Sequence, residues 1–222
     1  MTPLVKICGL STPETLDAAL AAGADMVGFV FFAKSPRSIG FGAARALGAA
    51  ARGRARIVAL TVDPNDALLS EVVEALDPDI LQLHGKEGPE RVGEIGARFG
   101  RRTMKAIGVA APEDLAAAGA YDGAADYLLI DAKPPSGAVL PGGNGLPFDW
   151  RLARDFAPRR PWLLSGGLGP DNVAKAIRAT GARGVDVSSG VECAPGVKDA
   201  LKIAAFVAAA RDAFARATVG VD

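Results

Sequence analysis

The chain has 222 residues, of which 25 are basic and 25 are acidic, so its formal net charge is zero. Balanced charge argues against a nucleic-acid partner, which needs a basic field to displace counterions, and no apolar run reaches the roughly 18 residues of a membrane helix. The start MTPLVKICGL does not match a signal peptide, so we expect a soluble cytoplasmic protein with no nucleic-acid or membrane partner.

Short apolar runs alternate with longer amphipathic segments along the chain. The short runs are mostly bounded by Gly, Pro or charge, and several are rich in Val, Ile or Phe, as is typical of buried parallel strands. The predicted strands are 4–8, 26–32, 56–62, 80–84, 103–108, 127–131, 162–165 and 184–187. The predicted helices are 13–22, 41–51, 65–76, 89–99, 112–118, 149–156, 170–180 and 197–215. Proline is expected in the first turn of four helices, at Pro13, Pro89, Pro112 and Pro170.

Eight strand–helix units in 222 residues give about 28 residues per unit. This spacing predicts an α/β fold in which residues 1–222 form one (β/α)₈ barrel domain. An open doubly wound sheet is the alternative, because strand signals alone do not show that a sheet closes. The one long irregular segment, 132–147, is rich in Pro and Gly and is a candidate lid, although a simple disordered excursion is also possible.

The cysteine and histidine counts narrow the chemistry. Two cysteines, Cys8 and Cys193, cannot form a disulfide scaffold, and free thiols fit a cytosolic chain. The single histidine, His84, excludes the HExxH motif and histidine-rich metal sites. Neither GxGxxG nor GxxxxGK[ST] occurs. We therefore expect no metal and no cofactor.

The segments after the last two predicted strands are rich in glycine and hydroxyl groups, and read SGGLG and DVSSGVE. Glycine turns and helix N-termini gather oriented N–H donors that bind phosphate, and phosphate sites after strands seven and eight recur in this barrel. Tight turns alone are the plainer explanation of the glycines, but the two segments together favour a phosphate site. Its expected contributors are Gly166, Gly167, Ser188, Ser189 and Gly190.

Two residues are candidates for acid–base catalysis because they end strands at the predicted barrel mouth. Cys8 ends the first strand, and Lys6 lies two residues earlier on the same face, where an ammonium favours the basic thiolate. Asp131 ends the sixth strand after an apolar run, and a carboxyl partly removed from water can keep a proton to donate. The plainer alternatives are a buried structural cysteine and a loop-capping aspartate, and Cys193 is expected to be structural or incidental.

Three further residues are expected to line the same mouth. Arg37 follows the second strand in KSPRS and is a candidate to hold an anionic substrate group. His84 ends the fourth strand and either lines the pocket or makes a structural hydrogen bond. Asp186, in the eighth strand, either serves the fold or contacts a sugar hydroxyl. An acid and a base without a cofactor suit isomerisation of a sugar phosphate.

The motifs resemble the phosphoribosylanthranilate isomerase family of tryptophan biosynthesis. The resemblance is carried by KICGL, GADMVGFVFFAKSPRSI, LQLHG, GGNGLPFDW, SGGLGPDNV and GVDVSSGVECAPGVKD, which span nearly the whole chain. It implies a (β/α)₈ fold and a cofactor-independent Amadori rearrangement of N-(5-phosphoribosyl)anthranilate. It also implies that Cys8 is the general base, that Asp131 is the general acid, and that Arg37 holds the anthranilate carboxylate.

Two other functions stay open at this point. Another phosphate-binding barrel enzyme is possible, such as indole-glycerol-phosphate synthase or an aminoimidazole-carboxamide ribotide isomerase, although the latter predicts an aspartate at the position of Cys8. A non-catalytic sugar-phosphate-binding barrel is the second. The sequence does not distinguish a monomer from a homodimer.

Overall fold

Eight parallel strands form a closed barrel, in a computed structural model that describes residues 2–134, 137, 142 and 149–219. Each strand pairs with the next, and the first also pairs with the eighth, which confirms the barrel and excludes the open sheet. The strands are β1 (Leu4–Cys8), β2 (Met26–Phe31), β3 (Arg56–Thr61), β4 (Ile80–Leu83), β5 (Arg102–Val109), β6 (Tyr127–Ala132), β7 (Trp162–Leu164) and β8 (Gly184–Val187).

The helices cover the outside of the barrel. Those of the first five units are α1 (Pro13–Ala21), α2 (Phe41–Ala51), α3 (Asp66–Leu76), α4 (Pro89–Phe99) and α5 (Pro112–Ala116), the last continuing as the 3₁₀ turn Ala117–Tyr121. Thr12 and Asn65 cap α1 and α3, because their side chains accept hydrogen bonds from the backbone N–H of Thr15 and Leu68. No helix within the described ranges is both long and apolar enough to cross a membrane.

The predicted helices of the last three units differ from those observed. Segment 149–156 contains only the 3₁₀ turn Trp150–Ala153. In segment 170–180 the helix α6 begins later and covers Val173–Thr180, so Pro170 lies in the preceding turn and not in the first helical turn. The cause is Asn172, whose side chain bonds to the backbone of Gly167 and Gly169 and so holds this turn in a loop.

The prediction for segment 197–215 was wrong at its start. A short hairpin, β9 (Glu192–Ala194) and β10 (Val197–Lys198), precedes the helix α7 (Ala200–Val219). The helix begins where it does because the Asp199 carboxylate accepts hydrogen bonds from the backbone N–H of Leu201 and Lys202.

The barrel interior changes from apolar to polar along the strands. Alternate residues of a strand share a face, and along β1 these are Leu4, Lys6 and Cys8. Leu4 belongs to an apolar cluster inside the barrel, Lys6 is fully buried, and Cys8 lines a cavity at the far end. The other members of the cluster are Met26, Val58, Ile80, Met104, Ala106, Tyr127, Leu129 and Leu163.

Aspartates brace the opposite end of the barrel, where the strands begin. Asp25, Asp79 and Asp126 each directly precede an even-numbered strand, and each accepts a hydrogen bond from a backbone N–H of the preceding strand, at 2.7 to 2.9 Å. These bonds fix the strand starts, and stability at this end leaves the other end for chemistry.

Candidate active site

A cavity of about 810 Å³, counting its open mouth, lies at the carboxyl ends of the strands. Nine of the ten predicted site residues line it: Cys8, Arg37, His84, Asp131, Gly166, Gly167, Asp186, Ser188 and Ser189. Gly190 is the exception. A side-chain carbon at this position would collide with the backbone carbonyl of Leu168. Gly190 is therefore packed tightly against the turn after β7, and its part in phosphate binding stays a prediction.

Cys8 is a buried thiol, with 3% of its surface exposed. Its register partner on β2 is Gly28, where an added Cβ would lie only 3.0 Å from the Cys8 sulfur, so glycine there makes room for the thiol. Burial raises the pKa of Cys8, while Lys6 lowers it, Asp186 raises it and Lys198 lowers it. The pKa is raised overall, because the effect of burial exceeds that of the two nearby ammonium groups.

Lys6 does not act on Cys8 alone, because it is paired with Asp186. The Lys6 Nζ donates to Asp186 Oδ1 at 2.6 Å, and the Ser165 hydroxyl donates to Oδ2 at 3.1 Å. The Lys6 pKa is lowered by burial but raised more by Asp186 and Cys8, so it lies above its ordinary value. Lys6, Asp186 and Cys8 thus form one electrostatic group across β1 and β8.

Asp131 lies beside His84 on the other side of the cavity. Its Oδ2 is 3.3 Å from His84 Nε2, and its Oδ1 accepts a hydrogen bond from the backbone N–H of Ala132 at 2.8 Å. The Gln82 side-chain nitrogen is 3.0 Å from His84 Nδ1. If that amide donates, the ring proton lies on Nε2 and can be donated to the Asp131 carboxylate. Gln82 and His84 therefore hold the orientation of Asp131.

One described residue of the candidate lid covers this pair. An added Cβ on Gly142 would lie about 2.5 Å from His84 Nε2 and 2.6 Å from Asp131 Oδ2, so the chain crosses directly over both side chains there. The rest of the predicted lid, 132–147, lies outside the described residues except for 132–134 and Gly137.

Arg37 reaches the cavity from the loop after β2. Only 7% of the residue is exposed, so it is not a solvated surface cation. Its Nε and Nη2 donate to the two carboxylate oxygens of Glu192 at 2.7 and 2.9 Å. Lys198 Nζ donates to the same Glu192 at 2.7 Å and to Ser188, at its carbonyl oxygen and its hydroxyl.

The glycine turn after β7 has a backbone that requires glycine. Gly166 and Gly167 have φ angles of 83° and 65°, in the left-handed region that side chains disfavour. Asn172 fixes this turn by donating to the carbonyl of Gly167 and accepting from the N–H of Gly169. Together with Ser188 and Ser189 after β8, the turn forms one wall of the cavity.

Sequence reasoning assigned no role to Glu192, Lys198 or Gln82. The first two stand in the motif GVDVSSGVECAPGVKD, and Gln82 stands in LQLHG, so the motifs were visible but the contacts were not. Alternation along β4 was a usable signal for Gln82, which shares a strand face with His84. Within the described ranges no three His, Cys, Asp or Glu side chains are placed to hold a metal ion.

The comparisons with known proteins agree with one another. The model of a family described as N-(5'phosphoribosyl)anthranilate (PRA) isomerase matches residues 5–209. An N-(5'-phosphoribosyl)anthranilate isomerase from Rhodopseudomonas palustris strain HaA2 is 60% identical over 211 residues, which are 95% of this chain and 97% of that one. The crystal structure of the Thermotoga maritima phosphoribosyl anthranilate isomerase superposes with a TM-score of 0.83 at 35% identity, covering 96% of this chain and all of that one.

A further solved structure carries a ligand. It is a phosphoribosyl anthranilate isomerase in complex with reduced 1-(o-carboxyphenylamino)-1-deoxyribulose 5-phosphate, with a TM-score of 0.81 and 34% identity over 96% of this chain and all of that one. Family model, curated relatives and solved structures each cover nearly the whole barrel. The chain belongs to the N-(5'-phosphoribosyl)anthranilate isomerase family.

Proposed function

We propose that this protein isomerises N-(5'-phosphoribosyl)anthranilate to 1-(2-carboxyphenylamino)-1-deoxyribulose 5-phosphate, a step of tryptophan biosynthesis, without a cofactor. The observation that carries the proposal is the single cavity lined by both Cys8 and Asp131, with Arg37 and the glycine turn after β7 in its walls. Family membership supports the same reaction. The protein is proposed to work in the cytoplasm on a small sugar phosphate, as a monomer or a homodimer.

Asp131 is the proposed general acid. It donates a proton to the ring oxygen of the ribose, the bond from that oxygen to C1 breaks, and the anilino nitrogen becomes an iminium. The carboxylate left behind accepts from the backbone N–H of Ala132 and lies beside His84 Nε2. Both contacts stabilise the charge that appears when the proton leaves.

Cys8 is the proposed general base. The iminium acidifies the proton on the neighbouring C2 of the sugar, and the Cys8 thiolate removes it to give an enolamine that tautomerises to the ketone. Burial keeps the Cys8 pKa high in the ligand-free protein. A high pKa makes the thiolate a stronger base once it forms, and Lys6 lies close enough to stabilise it.

The two charged ends of the substrate each need an anchor in the cavity. Arg37 is the proposed partner of the anthranilate carboxylate, because a planar guanidinium matches a carboxylate. The Gly166–Gly167 turn and the Ser188–Ser189 turn are the proposed phosphate site, since both line the cavity. Such anchoring orients the reacting atoms and contributes several kcal/mol to catalysis.

Loss of substrate fluorescence on incubation with freshly made phosphoribosylanthranilate tests the proposal. Cys8→Ala and Asp131→Asn are each expected to lower kcat by about 10² to 10⁴, the usual contribution of a general acid or base. Cys193→Ala is the matched control, because Cys193 is an exposed thiol outside the cavity. An inactive wild-type protein would favour the non-catalytic binding barrel. Full activity of Cys8→Ala would contradict the role of the base.

The phosphate site has its own test. A crystal structure determined in phosphate or sulfate is expected to hold the anion between Gly167 and Ser189. An anion bound elsewhere in the cavity, with none at this position, would count against the placement.

A further inference from the structure

Glu192 is a heavily hydrogen-bonded carboxylate at the barrel mouth. It follows the 3₁₀ turn Ser189–Val191 and starts β9. Its two oxygens accept from Arg37 Nε and Nη2, from Lys198 Nζ and from the backbone N–H of Gly196. The side chain is 5% exposed. A buried carboxylate with this many donors is held in one orientation and holds its donors in turn.

The charges around Glu192 favour its ionised form. Burial raises its pKa, but the hydrogen bonds from Arg37 and Lys198 lower it further, so the pKa lies below its ordinary value. Burial also lowers the pKa of Lys198, against the opposing effect of Glu192. Arg37 and Lys198 therefore share the Glu192 carboxylate, and both cations are buried.

The path of the Arg37 side chain explains why it needs such a partner. Its Cδ passes so close to Gly9 that an added Cβ there would lie 2.7 Å away, and Gly9 has a φ of +77°. The side chain thus crosses the backbone directly after Cys8, and its guanidinium contacts the loop after β8. Arginine has many rotamers, and fixing one of them costs conformational entropy. The bidentate contact with Glu192 selects a single direction for the guanidinium.

We infer that Glu192 is a positioning residue for the isomerisation, which aims Arg37 at the carboxylate of the substrate. This inference rests on the proposed function, in particular on the role of Arg37. Lys198 Nζ donates both to Glu192 and to the carbonyl oxygen of Ser188. Glu192 is therefore connected to the loop that bears the proposed phosphate site.

The test compares two substrates that differ only in the carboxylate. The first is N-(5'-phosphoribosyl)anthranilate and the second is N-(5'-phosphoribosyl)aniline, and the measured quantity is the ratio of their kcat/KM values. Charged hydrogen bonds of this kind change affinity by about tenfold or more. Arg37→Ala is expected to lower the ratio about tenfold or more, and Glu192→Gln at least about threefold, mostly through the KM of the first substrate.

Two further variants separate positioning from loss of folding. Glu192→Asp keeps the charge but is one methylene too short to hold both guanidinium nitrogens, so an intermediate ratio is expected. Glu87→Gln is the matched control, because Glu87 is an equally buried carboxylate that pairs with Lys105 at 2.7 Å and does not contact Arg37. It is expected to lower the melting temperature but to leave the ratio unchanged.

The outcomes distinguish the inference from the proposed function. If Arg37→Ala lowers the ratio and both Glu192 variants leave it unchanged or raise it, Glu192 is not a positioning residue while the role of Arg37 stands. If Arg37→Ala leaves the ratio unchanged, the role of Arg37 is wrong and the inference fails with it. If the wild-type protein converts neither substrate, the proposed function itself is refuted.

Discussion

The buried pair Lys6–Asp186 gives the sharpest stability prediction. Its atoms are 2.6 Å apart, and the two side chains are 0% and 5% exposed. Asp186→Asn keeps the shape of the side chain but leaves the Lys6 ammonium without an anion. Removing one partner of a buried pair costs about 3–5 kcal/mol. Deprotonating a lysine at about pH 7 costs a similar 4–5 kcal/mol, which sets an upper limit because Lys6 can neutralise instead.

This cost is expected to lower the melting temperature by roughly 6–20 °C, at 2–4 °C per kcal/mol for a chain of this length. In the variant the folded pKa of Lys6 falls below its unfolded value, whereas in the wild type it is raised. The unfolded variant therefore binds more protons than the folded one, so its stability rises with pH. The gap in melting temperature should therefore narrow as the pH rises towards the ordinary lysine pKa of about 10.4.

Calorimetry or circular dichroism melts at several pH values measure this gap. Asp17→Asn is the control, because the Asp17–Arg54 pair is 3.2 Å long and more than half exposed, and such pairs contribute about 1 kcal/mol or less. Lys6→Met combined with Asp186→Leu removes both charges and should be less destabilised than Asp186→Asn. The reasoning is refuted if Asp186→Asn has the same melting temperature as Asp17→Asn. It is also refuted if the difference in melting temperature between wild type and Asp186→Asn increases as the pH rises.

Three further predictions concern single residues. Thiol labelling at neutral pH should modify Cys193 quickly and Cys8 slowly, because burial raises the pKa of Cys8, and Cys193→Ser should remove the fast phase. Gly190→Ala should destabilise the fold by about 1–3 kcal/mol through overpacking and should raise KM. Gly93→Ala is the control, because Gly93 lies at an open helix position where alanine should stabilise the fold by about 0.5–1 kcal/mol. Equal melting temperatures of the two variants would contradict the tight packing at Gly190. The chain has one histidine, His84, so ¹⁵N labelling should show a single imidazole with its proton on Nε2, and a proton on Nδ1 would contradict the proposed hydrogen bonding.

Burial explains why the strands were predictable from the sequence. The five residues of β1 are all buried, and Gly9 follows them directly, so the predicted run and the observed strand coincide. The same holds for β8, whose bounds are also those expected. The helices of the first four units were predicted to within one residue, since each is long enough to show the helical period.

The errors lie where local patterns are too short to carry periodicity. The strand Val197–Lys198 has only two residues and is defined by its partner β9, so the apolar pattern was assigned to the helix that follows. The turn Trp150–Ala153 has only four residues, about one helical period, and several periods are needed before a helical pattern can be recognised. Non-local pairing decides both structures.

The candidate site divides in the same way. Cys8, His84 and Asp131 were found because each lies at or next to the end of a barrel strand, a position that the sequence reveals once the strands are known. Glu192 was missed because its partner Arg37 lies 155 residues away. Such a contact depends on the closed barrel and leaves no trace in local spacing. The single domain over residues 1–222 remains a prediction, and so do the individual catalytic roles, which the variants above test.

The pairing of β1 with β8 has a consequence for the folding of the chain during its synthesis. Lys6 and Asp186 are 180 residues apart, so the ammonium beside the thiol has no anion until the eighth strand has been translated and has closed the circle. A nascent chain or a fragment that ends before this strand contains Cys8 and Lys6 but lacks Asp186. The charge balance around Cys8 therefore depends on closure of the barrel by its last strand.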